Sequence, residues 1–304
     1  MLSRRAIFAL PLVAAAAVRA PALAAAARGK MQLCMHTNTS NNVGYRRAME
    51  GWAKAGIKYV ELNGAFVDEF LKTESLATAR KVLDDNGLTA VHGAVGVGGL
   101  LEPNPERAAA LDKLKRRIEM FTTLGIKRCY TTSGTSQKVT IDDFKAISAN
   151  MHEIGELAKG MGDMKVSVEF LRISPYMATL PTALRLVRDA AHPNFGVLFD
   201  FYHFWSGNSR LEDMDLLRPN DIFHVHFQDV PDMPREMLDM FSRNIPGDGI
   251  SPLNAILTKL ARVGYNGPLS VELFLPRLTM GDPEAVAREV REKAEPVMKK
   301  AGVL

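Results

Sequence analysis

Four segments decide how this chain folds: KVSVEF (165–170), FGVLFD (195–200), IFHVHF (222–227) and PLSVEL (268–273). Each is an apolar run of β type with a polar residue at or near its end: Glu169, Asp200, His226 and Glu272. Side chains alternate between the two faces of a strand. Ser167 and Glu169 therefore share one face, opposite Val166, Val168 and Phe170. Ser270 and Glu272 oppose Leu269 and Val271, and His224 and His226 oppose Phe223, Val225 and Phe227. The apolar faces need helices to pack against, which leaves the polar set facing inward.

Working outward from these segments, strand and helix patterns alternate eight times. Strands are expected at 31–36, 58–62, 88–93, 128–132, 165–171, 195–200, 222–227 and 269–273. Amphipathic helix patterns fall between them, for example at 105–124, 141–159, 252–263 and 283–300. Gly56, Gly87, Gly125 and Gly264 mark helix ends just before the next strand. Such alternation implies a parallel sheet, and eight units in one domain predict a (β/α)8 TIM barrel over residues 31–304. The C-terminal strand ends form the active-site face of such a barrel. The longest irregular stretch, 229–249, follows the seventh strand and is expected to lie over that face. Gly93 to Gly99 is glycine-rich but lacks the spacing of a phosphate-binding loop, and reads as a flexible rim.

The first 24 residues read as an export signal: Arg4 and Arg5, an apolar run from Ala6 to Val18, and the A-x-A site Ala22-Leu23-Ala24. Ser3-Arg4-Arg5 before an apolar run resembles a twin-arginine signal, which Ile7 and Phe8 fit only loosely, and an ordinary secretory signal is nearly as good a reading. Pro11 interrupts the run, which is too short to span a bilayer. An exported, periplasmic location is expected if the source is Gram-negative. Cleavage removes Arg4, Arg5 and Arg19, so the formal charge falls from +4 to +1. That balance gives no support for nucleic-acid binding. The two cysteines, Cys34 and Cys129, fall on strands one and four, which are not neighbours in a barrel. They are expected as free, buried thiols.

Three carboxylates and an imidazole converging at the strand ends are costly without a compensating charge, and a divalent cation supplies it. Taken singly, Glu169 or Glu272 reads equally well as a rim carboxylate paired to an arginine, and Asp200 as a turn cap. Together the four predict one metal centre. Oxygen-rich ligation favours Mn2+, with Mg2+, Co2+ or Zn2+ able to serve. Around it, His203 is expected to contact substrate or support the ligands, and His224 to be a hydrogen-bonded core histidine. Glu61, His92 and His36 end strands two, three and one and are candidates to line the pocket, Glu61 bonding a sugar hydroxyl. His152 and His192 are expected to be solvated.

The pattern VEF…LFDFYH…HVHFQD…PGDG…GYNGPLSVELF resembles the xylose isomerase-like TIM-barrel superfamily over residues 31 to 300, most specifically from Phe195 to Phe274. That group includes ketose 3-epimerases, hydroxypyruvate isomerases, inosose dehydratases, 3-dehydroshikimate dehydratases and apurinic endonucleases. The resemblance implies a metal on Glu169, Asp200, His226 and Glu272, with Glu169 and Glu272 doubling as the acid/base pair. It also implies substrate contacts from His203 and Arg243. Two departures stand out. The loop between His226 and Arg243 is longer than in the epimerases, and Ile173, Ser174 and Pro175 replace a substrate-binding carboxylate.

The expected chemistry follows. Removing a proton beside a sugar carbonyl leaves an enediolate, whose charge a divalent ion stabilises. Protonation on the other face gives an epimer or isomer. Expulsion of a β leaving group makes the enzyme a lyase or dehydratase instead. A third reading is a non-catalytic sugar-binding protein. The partner in every case is a small-molecule sugar or keto-sugar, and a homo-oligomer is compatible with all three.

Overall fold

Eight parallel strands close into a barrel in chain order: β1 (Gln32–His36), β2 (Tyr59–Asn63), β3 (Thr89–Ala94), β4 (Arg128–Thr132), β5 (Lys165–Glu169), β6 (Phe195–Asp200), β7 (Ile222–His226) and β8 (Pro268–Val271). β8 pairs back onto β1, so no strand edge is left open. The computed structural model describes residues 30–304. The export signal read from the sequence lies outside the described residues.

Outward-facing Val166, Val168, Val197, Phe199, Val225, Leu269 and Val271 are fully buried against the surrounding helices. Each such side chain removed from water contributes about 1.5–3 kcal/mol. The ring of helices includes Tyr45–Lys54, Arg107–Thr123, Phe144–Gly160, Leu180–Ala190, Leu253–Arg262 and Pro283–Lys300. No helix among the described residues is long and apolar enough to cross a membrane.

Two register slips set the lumen. Val60 pairs with Ala90 but Glu61 with His92, so Val91 is skipped. Val197 pairs with Ile222 but Leu198 with His224, so Phe223 is skipped. A one-residue slip exchanges the faces of a strand relative to its neighbour. These two place Glu61 beside His92, and Asp200 beside His226, on the inner surface.

Several boundaries differ from expectation for local reasons. β5 and β8 end early because side chains replace ladder partners: the Leu171 N–H donates to Ser133 Oγ and the Leu273 N–H to Thr39 Oγ1. The helix expected from Ile141 begins as a 3-10 turn, Ile141–Asp143, closed by a Thr140–Asp143 capping box. His192 is not solvated as expected. It is buried, with Nε2 2.7 Å from the Glu156 carboxylate, and packs over Gly155, where a Cβ would collide with its ring. His152 is exposed. Cys34 and Cys129 are free and buried.

The 229–249 segment is closed at its base by an antiparallel bridge between Asp229 and Asn244. Buried Asp229 accepts N–H bonds from Val230, Gly247, Gly249 and Ser251, all between 2.9 and 3.1 Å. The PGDG sequence follows from this. Gly247 takes φ +101°, and a Cβ on Gly249 would stand 2.3 Å from the Val230 carbonyl and 2.6 Å from the Asp229 carboxylate. Farther out, Arg172 donates to the Arg235 and Leu238 carbonyls, and the Tyr202 hydroxyl to the Asp239 carbonyl. The loop is thereby tied across the C-terminal face.

Candidate metal centre

Glu169, Asp200, His226 and Glu272 meet at the C-terminal mouth of the barrel, with one ligand atom from each inside a mutual distance of 4.8 Å. His226 is the hub. Its Nδ1 lies 3.0 Å from Glu169 Oε1, 3.4 Å from Asp200 Oδ2 and 3.5 Å from Glu272 Oε2. Its other nitrogen, Nε2, points the opposite way, 3.3 Å from Glu61 Oε1. One imidazole nitrogen and three carboxylates thus face a common point, while the second nitrogen is held from behind. That donor set fits a divalent cation, which those four residues would hold.

The charges explain the protonation pattern. Burial pushes the Glu169 carboxyl up, to about 8, against the pull of His226. Burial also acts on Asp200, but Arg243, His203 and His226 outweigh it and hold this carboxyl well below the usual range. Glu272 is lowered likewise, as His226, Arg243 and His36 overcome burial. His226 is raised well above its ordinary value because Glu61 and Glu272 overcome its burial. A cation taking the common point would displace protons from Glu169 and His226.

The sequence-derived residues divide into two layers. A cleft of about 290 Å³ is bordered by Glu169, Glu272, His203, Arg243, Asn38 and Tyr130, among others. Asp200 and His226 are sealed behind it at 0% exposure. A larger hollow of about 440 Å³ at the opposite barrel end is lined by Arg128, Lys165, Arg218 and Phe223. It has no carboxylate, whereas the smaller cleft reaches Glu169 and Glu272.

Arg243 reaches the cleft from the long loop. Its Nη1 lies 2.6 Å from Glu272 Oε2 and 3.3 Å from Asp200 Oδ2, and its Nη2 lies 3.2 Å from His203 Nε2. The guanidinium lies over the rings of Tyr202 and Phe274, 4.7 and 4.9 Å from their centroids. His203 is buried and kept neutral, its pKa lowered to about 4 by burial.

Glu61 and His92 are not where a substrate would meet them, contrary to expectation. Both are fully buried below the cluster and absent from the cleft wall. Two of the three histidine nitrogens on Glu61 are His92 Nδ1 and His224 Nε2, each at 2.8 Å. His224 is thus the hydrogen-bonded core histidine expected. His36 is buried as well, accepting the Asn38 N–H at Nδ1.

Sequence reasoning missed two amides. Gln228 Nε2 donates to Asp200 Oδ2 at 2.6 Å, and Asn38 Nδ2 to Glu272 Oε1 at 2.9 Å. Their signal was present, because Gln228 continues the inward series His224, His226, and Asn38 follows His36 at the same spacing. Ile173 points into solvent, and Ser174 Oγ bonds the Ser133 carbonyl, so no carboxylate enters the cleft from that segment.

Comparison with known proteins agrees with this fold. The inosose isomerase of Bacillus velezensis is 26% identical over 277 residues, 89% of this chain and 98% of that protein. A 3-dehydroshikimate dehydratase of Pseudomonas putida is 28% identical over 167 residues, 54% of this chain and 26% of that protein. The crystal structure of the IOLI protein with a bound zinc atom superposes with a TM-score of 0.82 at 25% identity, covering 89% of this chain and 99% of that one. The family model described as xylose isomerase-like TIM barrel matches residues 50–298. With the barrel and the ligand cluster in hand, this chain belongs to the xylose isomerase-like TIM-barrel family.

Proposed function

We propose that the protein is a divalent-metal-dependent isomerase or epimerase of a sugar or keto-sugar, with Glu169 and Glu272 as its proton-transfer pair. One observation carries this reading. Of the four clustered residues, only the two glutamates border the cleft, and they do so from β5 and from the far end of β8. A cation held by these four residues would supply the positive charge that offsets negative charge developing on a substrate carbonyl oxygen. The chain's residues do the rest. One glutamate takes the proton from the carbon next to the carbonyl, and the other returns a proton from its own side. Arg243 and His203 present N–H groups and a ring nitrogen to substrate oxygens, and Tyr130 and Phe274 exclude water from the cleft wall.

The substrate class extends to inososes, which are cyclic keto-polyols, through the similarity to inosose isomerase. The similarity to a 3-dehydroshikimate dehydratase supports elimination as the second reading. Mn2+ is the proposed ion, because three of the four donors are hard carboxylates. Export with cleavage near Ala24 is proposed from the N-terminal sequence, and the mass of the native protein's first peptide checks it. A homo-oligomer is proposed on the same footing and is checked by light scattering.

The deciding experiment is proton NMR of the Mn2+-loaded protein, then chelated, with inososes, ketoses and 3-dehydroshikimate in deuterium oxide. Exchange beside the carbonyl with an isomeric product supports the proposal. Loss of water from the substrate supports elimination. Absence of any exchange across the panel would sink the catalytic reading.

A further inference from the structure

Glu61 is a buried anion whose surroundings are built for it. Its two carboxylate oxygens meet His92 Nδ1 and His224 Nε2 at 2.8 Å and His226 Nε2 at 3.3 Å, and His36 Nε2 stands 4.0 Å away. An ionised carboxylate only accepts, so all three close ring nitrogens carry their protons toward Glu61. The far nitrogens, His92 Nε2 and His224 Nδ1, are buried and have no hydrogen-bond partner. An unpaired ring lone pair is tolerable there, whereas a second unpaired N–H would add a buried, unsatisfied donor. The tautomers of His92 and His224 are thereby fixed.

The same group does not suit a second metal ion. The rings of His92 and His224 stack with centroids 3.8 Å apart and planes 8° from parallel. A ring nitrogen's lone pair lies in its own ring plane. Two parallel planes at that spacing offer no point that both lone pairs can reach at bonding distance. The cluster is therefore a set of N–H donors around one acceptor.

We propose that Glu61 is a positioning residue for the metal centre: by holding the Nε2–H of His226 it leaves Nδ1 as the nitrogen that faces Glu169, Asp200 and Glu272, the one a cation would take. The inference rests on the metal reading of those four residues. A metal-binding imidazole is aimed by the hydrogen bond on its other nitrogen. Without Glu61 the ring can carry its proton on Nδ1 and present a hydrogen to the point where the cation belongs. His92 and His224 act one step further back, holding the two Glu61 oxygens.

The test uses the whole protein. Wild type and Glu61→Leu, which removes the acceptor, are titrated with Mn2+, and their Co2+-loaded forms are compared by visible absorption, with circular dichroism as the check on folding. The proposal expects a roughly 10–100-fold weaker metal affinity in Glu61→Leu and an altered Co2+ spectrum. A purely structural role would lower the melting temperature and leave the spectrum alone. A folded Glu61→Leu with wild-type affinity and spectrum overturns the proposal. Nitrogen-15 NMR of histidine-labelled, Zn2+-loaded wild type tests it even if the variant does not fold. A proton on His226 Nε2 supports the role, and a proton on Nδ1 overturns it. Wild type that binds no ion in any titration would sink the metal reading itself, and this role with it.

Discussion

Arg243 Nη1 lies 2.6 Å from Glu272 Oε2, so the loop-borne guanidinium neutralises a carboxylate that the metal reading assigns to the cation. The two positive charges compete for one anion. Arg243→Met is therefore expected to bind Mn2+ at least as tightly as wild type, measured by calorimetric titration. Its metal-free form is expected to lose about 3–5 kcal/mol of stability, because a buried pair is broken. If Arg243 contacts substrate as proposed, turnover should also drop sharply.

The ligand assignment predicts about one divalent ion per chain. Asp200→Asn and His226→Ala are each expected to lose most of it in metal analysis after dialysis. Both side chains are fully buried, so their loss cannot be replaced from solvent. Full occupancy in both variants would refute the assignment.

Glu169→Gln and Glu272→Gln keep the shape and one oxygen donor but cannot take a proton near neutral pH. At saturating Mn2+ each is expected to lose ~10²–10⁴ in rate. For an epimerase, each variant should retain deuterium exchange from only one epimer. Near-normal rates in both fully loaded variants would exclude the paired-glutamate mechanism.

Stability of the metal-free protein should depend on pH in a defined window. The folded chain keeps the Glu169 proton up to about 8, whereas an unfolded glutamate releases it near 4.5. His226, ordinarily at 6.5, is also raised well above that value when folded. Between pH 6.5 and 8 folding therefore takes up protons, and stability falls as pH rises. His36, His92, His203 and His224 are lowered by burial, so their opposite slope acts only below 6.5. The melting temperature of the metal-free protein is expected to decline across that window, and saturating Mn2+ to reverse the trend. A flat or rising metal-free profile would contradict the assignment.

The barrel was legible because strand and helix periodicities alternate without interruption from Met31 onward. The convergence of Glu169, His226 and Glu272 was legible because alternation within β5, β7 and β8 fixes which side chains face inward. Glu61 was misjudged because its neighbours depend on the slips at Val91 and Phe223, and no sequence spacing records a slip. A strand-end glutamate looks the same whether it opens on a cleft or sits beneath one. Arg243 was reached through family resemblance alone, since a loop residue's destination is set by anchors that are distant in sequence. The burial of His192 depends on Gly155, which lies on a different element.

Asp229 gathers four backbone N–H groups at the two feet of the long loop, next to Gly247 and Gly249. The span from Pro231 to Ser242 therefore hangs from a fixed hinge pin, while the four clustered residues belong to the barrel itself. Within that span Met240 alone borders the cleft, so the loop can change in length and sequence around one side chain while Asp229 keeps its feet, and with them Arg243, at a constant place above the strand ends.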